Sequence, residues 1–204
     1  MHLNTGVPKK LLVLTLAFVF CTGCGPGQSK VERQVQEMRS LYQTLEELES
    51  TGTVTADYED KVYTYSVTIT GNAEAGRMTV TEPENISGTI IAWSDGALKL
   101  SVEDVTLETG PLSDSGFSPA DAVPALLKGC AEGALISCGE DDWEGQTLLY
   151  AEFQSPTEES CTVAGWFDPE SYALRRAEIA EDGRVVISMV LESFSMTLDS
   201  TQAK

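Results

Sequence analysis

The chain has 204 residues and a formal net charge of −19, with 32 acidic against 13 basic side chains, 42% hydrophobic residues and a single histidine, His2. Charge of that sign repels phosphates, which excludes nucleic acid as a partner and disfavours charge-driven binding to anionic lipid. The apolar fraction, with acids dispersed along the chain rather than in one block, excludes a disordered protein.

Lys9 and Lys10, an apolar run over 11–20, the small residues Thr22 and Gly23, and then Cys24 have the layout of a secretory signal peptide. The run is shorter than the roughly 20 apolar residues that span a bilayer, so insertion followed by cleavage is expected. The segment Cys21-Thr22-Gly23-Cys24 resembles the lipobox of bacterial lipoproteins, although Cys21 stands where leucine is usual. That resemblance implies removal of residues 1–23, lipid on the Cys24 thiol, and a protein anchored to the outer surface of the cell membrane. Two or more acyl chains hold firmly, since each buried CH₂ contributes about 0.8 kcal/mol. Cys24 and a flexible Gly/Pro/Ser tether would make up residues 24–30. Cleavage removes two lysines, His2 and no acid, taking the charge from −19 to −21 and leaving no histidine.

Val31, Val35, Met38, Tyr42, Leu45 and Leu48 recur at helical spacing with charged residues between them, predicting one amphipathic helix over 29–50 that Gly52 stops. The period then changes to two. In 61–70, Tyr63, Tyr65, Val67 and Ile69 share one face, and Thr64, Ser66, Thr68 and Thr70 share the other. Further strands are expected at 53–58, 77–81, 88–93, 97–102 and 105–107, with turns at Gly71-Asn72, Pro83-Glu84-Asn85 and Asp95-Gly96. Gly110, Pro111, Gly116, Pro119 and Pro124 break the rhythm, and a short central helix over 122–128 follows, with Ser118 as its cap and Pro119 in its first turn. Strands resume at 134–138, 146–153, 161–167, 172–180, 184–191 and 193–198, Asp182-Gly183 marks a hairpin, and 199–204 reads as a frayed tail. Without β-α-β alternation, the expected class is α+β, a single domain over 31–198 built on one large curved antiparallel sheet.

Loss of the only histidine excludes Ser-His-Asp and Cys-His nucleophiles and His-ligated metals. Phosphate-loop, nucleophile-elbow and dinucleotide fingerprints are missing from the sequence as well, so neither catalytic residues nor a cofactor or metal are expected. Glu140, Asp141 and Asp142 beside Trp143 are the one cluster that a glycosidase-type carboxylate pair would use. Lying between Gly139 and Gly145, they read better as a hydrated hairpin turn, and they do not fit the calcium-loop pattern. Cys130, Cys138 and Cys161 are odd in number and lack C-x-x-C spacing, which suits buried thiols, with a Cys130–Cys138 disulfide as the alternative. A large sheet covered by few helices leaves an apolar concave face that side chains or a ligand must fill. Tyr63, Tyr65, Trp93, Tyr150 and Trp166 are the candidates to line it, and any of them would serve equally as core.

The helix behind a cysteine, the Pro83-Glu84-Asn85-Ile86-Ser87-Gly88 segment, and the closing run Phe167-Asp168-Pro169-Glu170, Arg176-Ala177-Glu178-Ile179, Asp182 to Ile187 and Phe194 resemble the lipoprotein-carrier (LolA/LolB-like) superfamily. The likeness is greatest to lipidated members from Gram-positive, spore-forming bacteria. It implies an incomplete antiparallel β-barrel with helices as a lid over an apolar cavity, used to hold acyl chains or to bind envelope proteins, without enzyme activity. A tether at Cys24 departs from a free shuttle and points to a fixed acceptor. The expected function is thus a membrane-anchored, non-enzymatic protein binding an acyl chain or lipid. The alternative is an acidic interaction module for a cell-envelope or spore-envelope protein.

Overall fold

The computed structural model describes residues 29–94, 96–102, 105–109 and 119–199, so the signal segment, Cys21, Cys24, most of the tether, Asp95, Gly110, Pro111, Gly116, Ser118 and residues 200–204 lie outside the described residues. Helix α1 spans Lys30–Gln43. Ser29 Oγ accepts from the Glu32 N–H while the Glu32 carboxylate accepts from the Ser29 N–H, which satisfies two of the helix's orphan donors. Val35, Met38 and Tyr42 form the buried stripe.

The helix stops at Thr44 instead of running to residue 50. Leu45 and Leu48, expected on the helical stripe, belong to strand β1 (Leu45–Asp57). Leu48, Ser50, Gly52, Val54 and Ala56 alternate into the interior. Pairing on both sides of β1 outweighs the helix propensity of Leu-Glu-Glu-Leu-Glu, because the strand buries a face that the helix would leave wet. Gly52 is not a helix stop. A Cβ there would lie 2.2 Å from the Val190 carbonyl oxygen, so glycine permits close approach of the neighbouring strand.

The remaining strands are β2 (Val62–Gly71), β3 (Ala75–Glu82), β4 (Ile90–Ser94), β5 (Ala97–Val102), β6 (Val105–Thr109), β7 (Ala134–Trp143), β8 (Gln146–Gln154), β9 (Cys161–Phe167), β10 (Leu174–Glu181) and β11 (Arg184–Leu198). They form one eleven-stranded sheet in the order β6-β5-β4-β3-β2-β1-β11-β10-β9-β8-β7. Every neighbouring pair is antiparallel, and β6 and β7 are free edges, so the barrel is open. The segments expected as separate strands at 184–191 and 193–198 are one strand with a register shift around Glu192, opposite Thr51 and Gly52. Strand β7 continues through the predicted 139–145 turn, leaving only Glu144 and Gly145, with φ of 51° and 77°, to make the reversal.

Helix α2 (Pro119–Glu132) has Pro119 in its first turn as expected and runs past residue 128 to Glu132, and both helices pack on the inner face of the sheet. Arg39 and Gln43 of α1 donate to the Ala131 carbonyl of α2, at 3.3 and 2.9 Å, satisfying an orphan acceptor at its C-terminal end. Tyr42 donates to the Tyr172 carbonyl at 3.2 Å and sets its ring edge-on to Phe167 at 5.6 Å. Phe153 and Phe167 are fully buried, each contributing on the order of 2–3 kcal/mol. Among the described residues no helix is long and apolar enough to cross a membrane.

Candidate functional site

Alternation along β2 places Tyr63, Tyr65, Val67 and Ile69 on the inner face, opposite Ala56, Val54, Gly52 and Ser50 of β1, with the threonines outward as expected. Burial fades along this row. Val67 and Ile69 are 2% exposed, Tyr65 is half-buried and Tyr63 is 42% exposed. The same gradient runs along β5, from buried Leu98 through half-buried Leu100 to Val102 at 45%, which faces Val105 at 60% on β6. Because β1–β2 and β5–β6 reverse at the same end of the sheet, both gradients run toward that end. Helices α1 and α2 lie mainly over β7–β10, with α2 also reaching β1 and β4, and the end of the inner face toward the β1–β2 and β5–β6 turns keeps apolar side chains in water.

Tyr58, in the β1–β2 turn, extends the row. Its ring meets Tyr63 edge-on at 6.0 Å, and Tyr63 stacks on Tyr65 at 6.4 Å with the planes 10° apart. Partial burial, then the neighbouring Tyr65 and Tyr63 and the charge of Asp121, push the Tyr58 phenol above its ordinary value. Burial and Tyr63 do the same to Tyr65. Tyr58 and Tyr65 therefore stay uncharged at neutral pH, and the row is an apolar wall with hydroxyl tips.

The other three predicted lining residues lie elsewhere. Trp93 is on the inner face but only 4% exposed. Its indole occupies the space where a Cβ on Gly76 would sit 2.4 Å away, and its Nε1 donates to the Asn72 carbonyl at 2.8 Å. Trp93 is thus a satisfied part of the core. Tyr150 and Trp166 sit opposite one another on the outer face of β8 and β9, 5.0 Å apart, while their neighbours Leu149, Ala151 and Phe167 point into the core. Trp166 donates to Asp141 at 2.8 Å and lies under the Arg176 guanidinium at 4.5 Å, and Arg176 pairs with Glu178. The five aromatics therefore do not form one site, since the sheet separates two of them from the rest. Tyr58, Val102 and Val105 complete the exposed end although spacing did not single them out. Their signal is an apolar residue at or just beyond a strand end, on the buried side of the alternation.

Glu140, Asp141 and Asp142 do not make a catalytic pair. Successive strand residues face opposite ways, so Glu140 meets Lys30 at 3.8 Å, Asp141 takes the Trp166 N–H, and Asp142 accepts from Thr147 at 2.7 Å. Among the described residues no group of three or more His, Cys, Asp or Glu is placed to hold a metal ion. Cys130, Cys138 and Cys161 are all free, so the Cys130–Cys138 disulfide considered from spacing is not formed. Burial pushes the Cys130 thiol up to about 12, which leaves it a protonated core group. A hollow of about 450 Å³ on the outer face is lined by Thr53, Thr64, Ser66, Thr81, Glu82 and Glu84 among others, and is as polar as the face that carries it.

No protein-family model matches the chain, and no curated protein matches it. Solved structures do. A LolA superfamily protein from Nitrosomonas europaea is 13% identical, over 83% of this chain and 94% of its own, with a TM-score of 0.46. A DUF1329 family protein from Desulfovibrio piger is 13% identical, over 84% and 92%, at 0.48. LprF from Mycobacterium bovis is 12% identical, over 83% and 96%, at 0.40. Similarity at this level names no ligand, partner or residue role for this chain.

Proposed function

We propose that this chain is a non-enzymatic, extracytoplasmic lipoprotein, anchored through lipid on Cys24, that holds an apolar ligand such as an acyl chain against the exposed end of its inner face. The observation that carries this reading is the pair of burial gradients running toward one end of the sheet, which leaves Tyr58, Tyr63, Val102 and Val105 in water beside a continuous core. The non-enzymatic part rests on the lack of histidine after residue 2 and on carboxylates committed to separate partners.

The site's position bears on its use. Helix α1 starts beside Glu140 and Pro169, at the end of the sheet opposite Tyr58 and Val105. Five residues from Cys24 to Ser29 reach at most about 18 Å, whereas the 13 residues of β1 cover roughly 43 Å. A tether of that length holds the apolar end away from the anchoring surface. A fixed acceptor that meets its ligand above the membrane suits this arrangement better than a shuttle.

Titration of the purified protein with a fluorescent fatty-acid analogue tests the reading. Saturable binding is expected, and Tyr63→Ser with Val105→Asp should weaken it by about tenfold or more, since each apolar side chain contributes about 1–2 kcal/mol when covered. Absence of saturable binding, or a double variant that binds as the parent does, would refute it.

A further inference from the structure

We infer that this site selects its ligand by headgroup charge, admitting acyl amphiphiles whose head is neutral or cationic and rejecting those whose head is anionic. The inference rests on the acyl-binding reading above. A ligand held on Tyr58, Tyr63 and Tyr65 lies at the exposed end of the sheet. There it meets the β1–β2 turn, which carries Asp57, Glu59 and Asp60, and the first turn of α2, where Asp121 is close enough to Tyr58 for its charge to act on the phenol. Two basic residues share that end, Lys61 and Arg184. Arg184 is already held: its Nη1 lies 3.6 Å from Asp57 and its Nε 4.0 Å from Glu59, and it donates to the Asp57 carbonyl at 3.2 Å. Its charge offsets part of the turn's, and among the described residues the four acids Asp57, Glu59, Asp60 and Asp121 against the two bases leave that end an excess of negative charge.

That excess stands beside an apolar wall, where field lines are screened less than in open water, and the turn and helix lie within about one or two Debye lengths of an emerging head. An anionic head is repelled by this net excess. A choline or ammonium head is attracted by it, and the tyrosine faces beneath the head favour a cation as well.

The test compares two lysophospholipids with the same acyl chain, one with a choline head and one with a glycerol head, both below their aggregation concentration and at low salt. The choline lipid should bind about tenfold more tightly, and raising salt to about 0.5 M should shrink the ratio to within about twofold. The variant Asp57→Asn/Glu59→Gln/Asp60→Asn should lose the preference while still binding the choline lipid. The salt series on the parent protein tests the same point without the variant. Equal affinity at low salt, or preference for the anionic head, overturns the charge inference and leaves acyl binding standing. Binding of neither lipid overturns acyl binding itself, and the charge inference with it.

Discussion

Gly129 is the point at which the helical layer presses hardest on the sheet, and replacing it tests how the inner face is sealed. A Cβ at this position of α2 would lie 2.1 Å from Val163 Cγ2 and 3.3 Å from Val163 Cβ, well inside the 3.5–4.0 Å of carbon contact. Val163 is fully buried on β9 and β-branched, so its side chain has little room to turn away. Gly129→Ala gains about 1 kcal/mol of helix propensity. Overpacking costs about 1–3 kcal/mol, and the upper half of that range applies to a contact this short, for a net loss of about 1–2 kcal/mol. Val163→Ala alone removes two methyl groups and leaves a cavity, a loss of about 2–3 kcal/mol. In the double variant the clash is gone, the propensity gain remains and the new methyl fills part of the cavity. Its loss should be about 1 kcal/mol, against the roughly 3–5 kcal/mol of simple addition. Urea denaturation of the four proteins, followed by tryptophan fluorescence at constant m, measures this coupling. Losses that add to within about 0.5 kcal/mol would show that α2 does not bear on β9 through this contact.

Three other outcomes are expected. Iodoacetamide on the native protein should modify half-buried Cys138 and spare Cys130 and Cys161, as read by peptide mass spectrometry, with the latter two reacting only after denaturation. Asp141→Ala leaves the Trp166 N–H without its acceptor in a buried position and should destabilise the protein by about 1–2 kcal/mol, whereas loss of a hydrated turn acid would be neutral. Asp168 accepts from the Ser171 N–H and hydroxyl, both at 2.8 Å, and from the Glu170 N–H at 3.1 Å, and these bonds hold its carboxyl below the usual range. A lowered carboxyl stabilises the fold above its unfolded value and loses that contribution as pH falls through the folded one. Asp168→Asn should therefore cost about 1 kcal/mol at pH 7, with the gap to the parent closing in acid, as followed by urea midpoints between pH 7 and 2.

Much of the strand order was legible because period-two alternation is a local signal. The expected strands at 97–102 and 161–167 match β5 and β9 end to end, and the two faces of β2 are divided as the alternation predicted. Errors arose where two periods fit the same residues. Leu45 and Leu48 satisfy a helical stripe continued from Tyr42, and only the ladders to β2 and β11 make residues 45–50 a strand. The acids at 140–142 look like a turn because carboxylates prefer water, yet each finds a partner when the strand points them to alternate faces.

Composition and spacing by themselves determined the antiparallel α+β class and the division of β2 into two faces. These follow from residue identity and from repeats a few residues long. Only the tertiary structure decided which aromatics share a side. Tyr63 and Trp166 look alike in the sequence, both lying in alternating strands, but a strand's inner face is set by the curvature of eleven strands and by where two helices rest on them. The exposed end of that face likewise exists only because the helices, packed over β1, β4 and β7–β10, leave Tyr58, Tyr63, Val102 and Val105 in water.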